Sequence, residues 1–223
     1  MRLLRVLTVA VGLATLLSQP SAAQGDRLFK DSWFWGIKGG GLLYSSEVAT
    51  NASAPVIGGE WLITRSTGGL YLSFDQAFFT TQGGYLDRDP DSTRAFIRKV
   101  DLENLRRFTI AGMVFPAQSR TLHPYVGFGL TLNQIASAAL AGPIATSRFG
   151  IAQDSIQARK AAFSPILMGG AQYRLPRASV FAQVSASPSQ RSFFLSSSGS
   201  TSVNLSLEVG ARYNVGSAID RQR

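Results

Sequence analysis

The sequence predicts an all-β chain, an eight-stranded antiparallel up-and-down β-barrel that crosses a membrane through its strands. Three observations carry that expectation. Val203 to Val215 alternates apolar and polar residues without a break, the links between successive strands alternate short and long, and the chain opens on an export signal with no later membrane helix.

The last strand is the clearest. Val203, Leu205, Leu207, Val209, Ala211, Tyr213 and Val215 share one face, and Asn204, Ser206, Glu208, Gly210, Arg212 and Asn214 share the other. Strand side chains point to opposite faces with period 2, so the segment is greasy on one side and polar on the other. It is longer than most globular strands and long enough to cross a bilayer at the usual tilt. Taken alone it also fits an ordinary amphipathic strand of a soluble sheet.

The other end shifts the balance between those readings. Arg2 and Arg5 form a basic start, Val6 to Leu17 an apolar core, and Ser21-Ala22-Ala23 a small-residue cleavage site before Gln24. That is the pattern of a secretory signal peptide, and its apolar core is too short for a stable span. The expected organisation is a signal peptide over 1–23, an N-terminal periplasmic segment over 24–32, a barrel over 33–215 and a C-terminal periplasmic tail over 216–223. The chain has no cysteine, which removes disulfides, thiolate metal sites and cysteine nucleophiles together. Its formal net charge of +9 suits an anionic surface. For an exported chain that means lipid headgroups or lipopolysaccharide phosphates rather than nucleic acid. A plainly solvated basic surface would look the same.

Between the ends, strands are expected at about 33–44, 55–65, 69–80, 100–115, 125–135, 163–174, 179–187 and 203–215, with no helix longer than a turn or two. Lipid faces include Trp35 and Ile37, Ile57 and Trp61, Leu72 and Phe74, Val126 and Phe128, and Leu167. The fourth strand loses its phase around Arg106 and Arg107, where a β-bulge would reconcile its halves. Links at 66–68, 116–124 and 175–178 are short, and those at 45–54, 81–99, 136–162 and 186–202 are long. Short turns on one side and long loops on the other describe periplasmic turns and extracellular loops. Trp33, Phe34, Trp35, Phe115, Tyr125, Tyr173 and Tyr213 are then expected at the periplasmic headgroup level, with Phe78, Phe79 and Phe163 at the outer rim.

Two further phrases carry a family resemblance. His123-Pro124-Tyr125-Val126-Gly127-Phe128-Gly129 follows a turn, and Glu208-x-Gly210-x-x-Tyr213-x-Val215 closes the last strand. With the signal peptide, they make the chain resemble the small outer-membrane β-barrels of Gram-negative bacteria, the opacity- and porin-like eight-stranded proteins. The resemblance implies an outer-membrane location and an insertion signal at Glu208, Gly210, Tyr213 and Val215, read by the barrel-assembly machinery. Where the pattern prefers an aromatic, this chain has Val215, and residues 216–223 follow it. The superfamily holds adhesins, anchors and small porins, so it implies little about activity.

Greasy faces toward lipid put Lys38, Glu60, Asp75, Glu208 and Arg212 in the lumen at similar heights. An eight-stranded interior is only wide enough for side chains to fill, so these charges are expected to pair into a plug. A selective channel or proton path is the functional alternative. No cofactor or metal site is expected, and no enzyme. His123, the single histidine, falls on the periplasmic side, a Gly-x-Ser-x-Gly elbow is absent, and Asp87, Asp89 and Asp91 lack the glycine and glutamate of a calcium loop. Gly39-Gly40-Gly41 has no helix after it to cradle phosphate. Arg94, Arg98, Lys99, Arg148, Arg159 and Lys160 in the long loops are candidate lipopolysaccharide contacts; the loop ligand itself is unknown. The leading expectation is therefore a non-enzymatic barrel in the cell outer membrane with its loops as interaction surface in adhesion or the envelope. The alternatives are a narrow passive pore for small solutes and a soluble periplasmic barrel that binds an apolar ligand with the faces reversed.

Overall fold

The computed structural model describes residues 31–45, 52–65, 67–88, 95–116, 121–142, 146–175, 178–190, 193–195 and 203–217. The leader read over 1–23, nearly all of the following segment, the end of the tail, Asp89, Asp91 and Arg94 lie outside them. Eight strands close into one barrel: β1 (Ser32–Tyr44), β2 (Ala52–Thr64), β3 (Gly68–Arg88), β4 (Ala95–Val114), β5 (Leu122–Leu140), β6 (Ala161–Arg174), β7 (Ala178–Pro188) and β8 (Val203–Ser217). Each pairs antiparallel with the next, and β8 pairs with β1, so no sheet edge is left open around the ring.

Burial alternates along the strands in the sense the polar and apolar faces dictate. Ile37 is 69% exposed, Phe128 66% and Phe163 64%, while Lys38, Glu60, Asp75, Glu208 and Arg212 are buried inside. A belt of large apolar side chains around the whole outer wall cannot stand in water. The soluble barrel would need the opposite orientation. The fold is a transmembrane barrel. No helix among the described residues is long and apolar enough to cross a membrane.

Four sequence expectations need correction. Residues 81–99 are mostly strand rather than loop, because β3 and β4 continue as a paired hairpin through Arg88 and Ala95. A helix, α1 (Thr146–Arg159), occupies the third long link. It buries Ala152 and Ile156 but leaves Phe149 and Ile151 exposed, and with Gly150 inside it has no apolar stripe for periodicity to detect.

The third correction concerns the rim aromatics. Trp33, Trp35, Tyr173 and Tyr213 point outward, but Phe34, Phe115 and Tyr125 are buried in the lumen. Phe79 likewise turns inward and packs on Tyr44, ring centroids 4.7 Å apart. Position near a strand end was a poorer guide than parity along the strand.

The fourth concerns the phase slip of β4, which lies at Asn104 rather than at Arg106 and Arg107. Val100 and Leu102 point inward, then Leu105, Arg107, Thr109, Ala111 and Met113 do. Asn104 carries a positive φ of 57°, and the register with β3 shifts by one residue between Ala77 and Thr80. Asparagine is among the few residues that visit the left-handed region readily.

Candidate functional site

The lumen is stacked in three layers. At the short-turn end, Phe34, Leu62, Tyr71, Met113, Phe115, Tyr125, Ile166 and Met168 form an apolar floor. At the long-loop end, Leu42, Tyr44, Leu102, Leu105 and Ile135 meet Ile156 of α1 and Phe193, Phe194 and Leu195 of the link between β7 and β8. Between the two lies a charged waist.

The waist is built from cross-strand register. Lys38 stands opposite Gly58, which stands opposite Asp75, so the lysine reaches over a glycine to a carboxylate two strands away. The Nζ to Oδ1 distance is 2.9 Å. A Cβ at Gly58 would sit 2.1 Å from that oxygen, so only glycine leaves the gap. Gly36 repeats the arrangement between Arg212 and Glu60, which form a second buried pair. There a Cβ would meet Glu60 Oε1 at 2.8 Å. Gly40 of the triple glycine adds a third such position: it stands opposite Glu208, and a Cβ there would meet the Glu208 Cα at 2.8 Å.

Arg107 completes the first group. It pairs with Asp75 at 3.0 Å and with Glu208, and Lys38 pairs with Glu208 at 2.8 Å. Lys38, Asp75, Arg107 and Glu208 thus close a ring of alternating sign across the lumen. The remaining valences are filled by neutral groups. Tyr71 Oη accepts from Lys38 Nζ at 2.9 Å, Gln183 donates to Glu208 at 2.8 Å, and Arg107 donates to Ser206 at 2.9 Å. Arg212 donates to Gln172 at 2.6 Å and lies 3.9 Å from the centroid of the Phe181 ring. Tyr125 Oη donates to Gln183 at 3.1 Å and its ring centroid lies 5.4 Å from the Arg212 guanidinium, so this tyrosine stands between the two ion groups. The side chains of Lys38, Glu208 and Arg212 are exposed by no more than 1%.

The sequence reading gathered Lys38, Glu60, Asp75, Glu208 and Arg212 and missed Arg107, Gln172 and Gln183. A signal was present for the arginine. Lys38 and Arg212 against Glu60, Asp75 and Glu208 leave one negative charge uncompensated, and a lumen closed to water demands another cation. The polar face of strand β4 is the place to seek it.

Of the residues assigned to the insertion signal, Tyr213 and Val215 face outward, and Glu208 belongs to the waist. Gly210 lies under the Phe181 ring, where a Cβ would approach within 2.6 Å. His123 is buried within β5 at the short-turn end, opposite Gln172. Among the loop cations, Arg98 is committed to Asp87 at 2.8 Å. Lys99 is exposed, Arg159 and Lys160 are half-buried at the end of α1, and Arg148 belongs to α1 with its side chain outside the described set.

No protein-family model and no curated sequence matches the chain. Solved structures do. Neisserial surface protein A matches with a TM-score of 0.50 at 12% identity, over 81% of this chain and 96% of that one. Ail, the attachment invasion locus protein of Yersinia pestis, gives 0.46 at 10% identity over 83% and 99%. The N-terminal β-barrel domain of Pseudomonas aeruginosa OprF gives 0.41 at 12% identity over 82% and 98%. At such identities the likeness concerns architecture. The chain has the fold of the small eight-stranded outer-membrane β-barrels.

Proposed function

We propose that this chain is a non-enzymatic outer-membrane barrel with a sealed lumen, whose long-loop end faces outward from the cell and serves as its interaction surface in adhesion or in the envelope. The observation that carries the reading is the charged waist held between two apolar layers. Its ions are fully paired, at 1% side-chain exposure or less for Lys38, Glu208 and Arg212. A conducting path would need hydrated charges at this level, and ones already committed to each other and stripped of water offer none.

The non-enzymatic reading is supported by the position of His123 at the short-turn end, away from the outer leaflet where lipid-modifying chemistry would need a base. The loop surface would engage lipopolysaccharide through Lys99 and Lys160, which have no ion pair among the described residues, more than through Arg98, which Asp87 already holds. Glu208, Gly210, Tyr213 and Val215 would serve the barrel-assembly machinery during insertion.

Planar-bilayer recordings of the purified mature protein test the seal. The expected result is a flat baseline under applied voltage, and steady single-channel steps would replace this reading with a passive pore.

A further inference from the structure

The outer wall of the barrel carries a polar row that no sequence pattern singled out. Phe74 of β3, Phe108 of β4, Leu132 of β5 and Phe163 of β6 stand side by side in register and face outward. In the same row β2 contributes only Gly59, opposite Phe74, so the wall is hollowed there. These residues, with Trp35 and Trp61 stacked 5.5 Å apart below, bound a groove of about 810 Å³. Its volume lies within the range of clefts that hold small molecules.

Two residues toward the long-loop end, Gln76, Arg106 and Gln134 form the next outward row, again in direct register. Neighbouring strands lie about 4.8 Å apart, so the three side chains span roughly 10 Å. Arg106 is exposed and has no ion pair or hydrogen bond among the described residues. By register it stands one row above Phe163 and below Phe78, which lies two residues beyond Gln76 on β3. The acidic groups on this strand, Glu103 and Asp101, stand further out, and Gln82 donates to Asp101 at 2.9 Å. One half-buried cation, Lys160, follows beyond Gln134's partner Ala161.

We propose that the row of Gln76, Arg106 and Gln134 and the groove beneath it bind one phosphorylated, multiply acylated lipid of the outer leaflet. The guanidinium takes a headgroup phosphate through paired charge-assisted hydrogen bonds, and the glutamine amides add N–H donors. The groove takes acyl chain. Charge and apolar surface thus meet in the order in which such a lipid presents them. A free phosphate would have no use for the groove, and an apolar molecule none for the arginine. The site rests on the reading of the chain as an outer-membrane barrel, but it lies on the wall and is independent of the loops.

The test uses the mature protein in non-ionic detergent, titrated with bis-phosphorylated lipid A, with its dephosphorylated form and with inorganic phosphate. The intrinsic fluorescence of Trp33, Trp35 and Trp61, of which the last two line the groove, reports its filling. The phosphorylated lipid should bind at least about tenfold more tightly than the dephosphorylated form, the scale of a charge-assisted contact. Arg106→Gln should abolish that preference, and Arg106→Lys, which keeps the charge and loses the fork, should fall between. Phe108→Ala should weaken both lipids alike. Heat-modifiable migration on a denaturing gel confirms that each variant is folded. Equal binding by wild type and Arg106→Gln overturns the proposal, as does effective competition by inorganic phosphate. A change of oligomeric state in Arg106→Gln would give the groove to a second copy and overturn it too. Quenching of tryptophan by brominated phosphatidylcholine in reconstituted vesicles separates the two levels. Its absence sinks the membrane reading, whereas quenching with unchanged Arg106→Gln binding sinks only the lipid site.

Discussion

The charged waist and the apolar mouth fill the same lumen by different means. In the waist every partner is set by register: Lys38 over Gly58 to Asp75, Arg212 over Gly36 to Glu60, and Asp75 directly opposite Arg107. Directional pairs tolerate no slip. In the mouth, Leu42, Leu102 and Leu105 meet side chains delivered from outside the sheet, Ile156 from a helix and Phe193 to Leu195 from a link. Apolar contact is non-directional, so it accepts groups from segments whose register is not fixed. The strands specify the waist, and the links supply the mouth.

The comparison is broken most directly by removing one charge. Glu208→Gln leaves Lys38 and Arg107 facing Asp75 alone inside a closed lumen. Stranding a buried charge costs about 3–5 kcal/mol, and the loss should appear in urea unfolding of the barrel reconstituted in vesicles. The loss should reach the whole barrel, because the ring ties β1, β3, β4 and β8 together. If unfolding were unchanged, the waist would be hydrated and the seal would fail with it.

A smaller effect is expected from Gly58→Ala. The added methyl group would lie 2.1 Å from Asp75 Oδ1, inside van der Waals contact, and must displace the carboxylate from Lys38. Overpacking of this kind costs about 1–3 kcal/mol. The adjacent Gly59→Ala faces lipid and meets only Gly36 O at 3.8 Å, so it should be close to neutral. Similar losses in both variants would mean that strand flexibility, and not the gap, explains the glycines. The pair of measurements therefore isolates the gap.

How much of this the sequence yielded follows from the same division. Strict alternation made the faces of β1, β2, β3, β5 and β8 readable, and with them five of the six waist charges. Arg107 was lost because alternation breaks in its own strand three residues earlier, and parity is the only information a strand face carries. The helix was lost for a related reason: Phe149 and Ile151 stay exposed while Ala152 and Ile156 are buried, so composition gives no stripe. The inward turn of Phe34, Phe115 and Tyr125 was hidden by reading aromatic residues by position along the strand instead of by parity. The groove below Arg106 could not be read at all, since it depends on register among six strands.

Asn104 is where the two regions join, and it gives the finest test of the comparison. Below it β4 turns odd-numbered residues inward to the waist, and above it Val100 and Leu102 turn inward to the mouth. The switch needs one residue in the left-handed region, at φ 57°. Left-handed backbone costs a side chain with a β-carbon about 1–2 kcal/mol, asparagine less and glycine nothing. Asn104→Gly should therefore leave stability and the waist intact. Asn104→Val places a β-branched residue in a region it avoids, and should lose about 1–2 kcal/mol or more. Relief of that strain would come by sliding β4 one residue, which moves either Arg107 or Leu102 to the lipid face. Hydrogen exchange resolved by strand would then show the mouth half of β4 less protected than the waist half, because a buried ring of four ions holds the lower register, against one Arg98–Asp87 pair and the exposed Gln82–Asp101 hydrogen bond in the upper one. Uniform protection in Asn104→Val would show that the two halves are not independently registered.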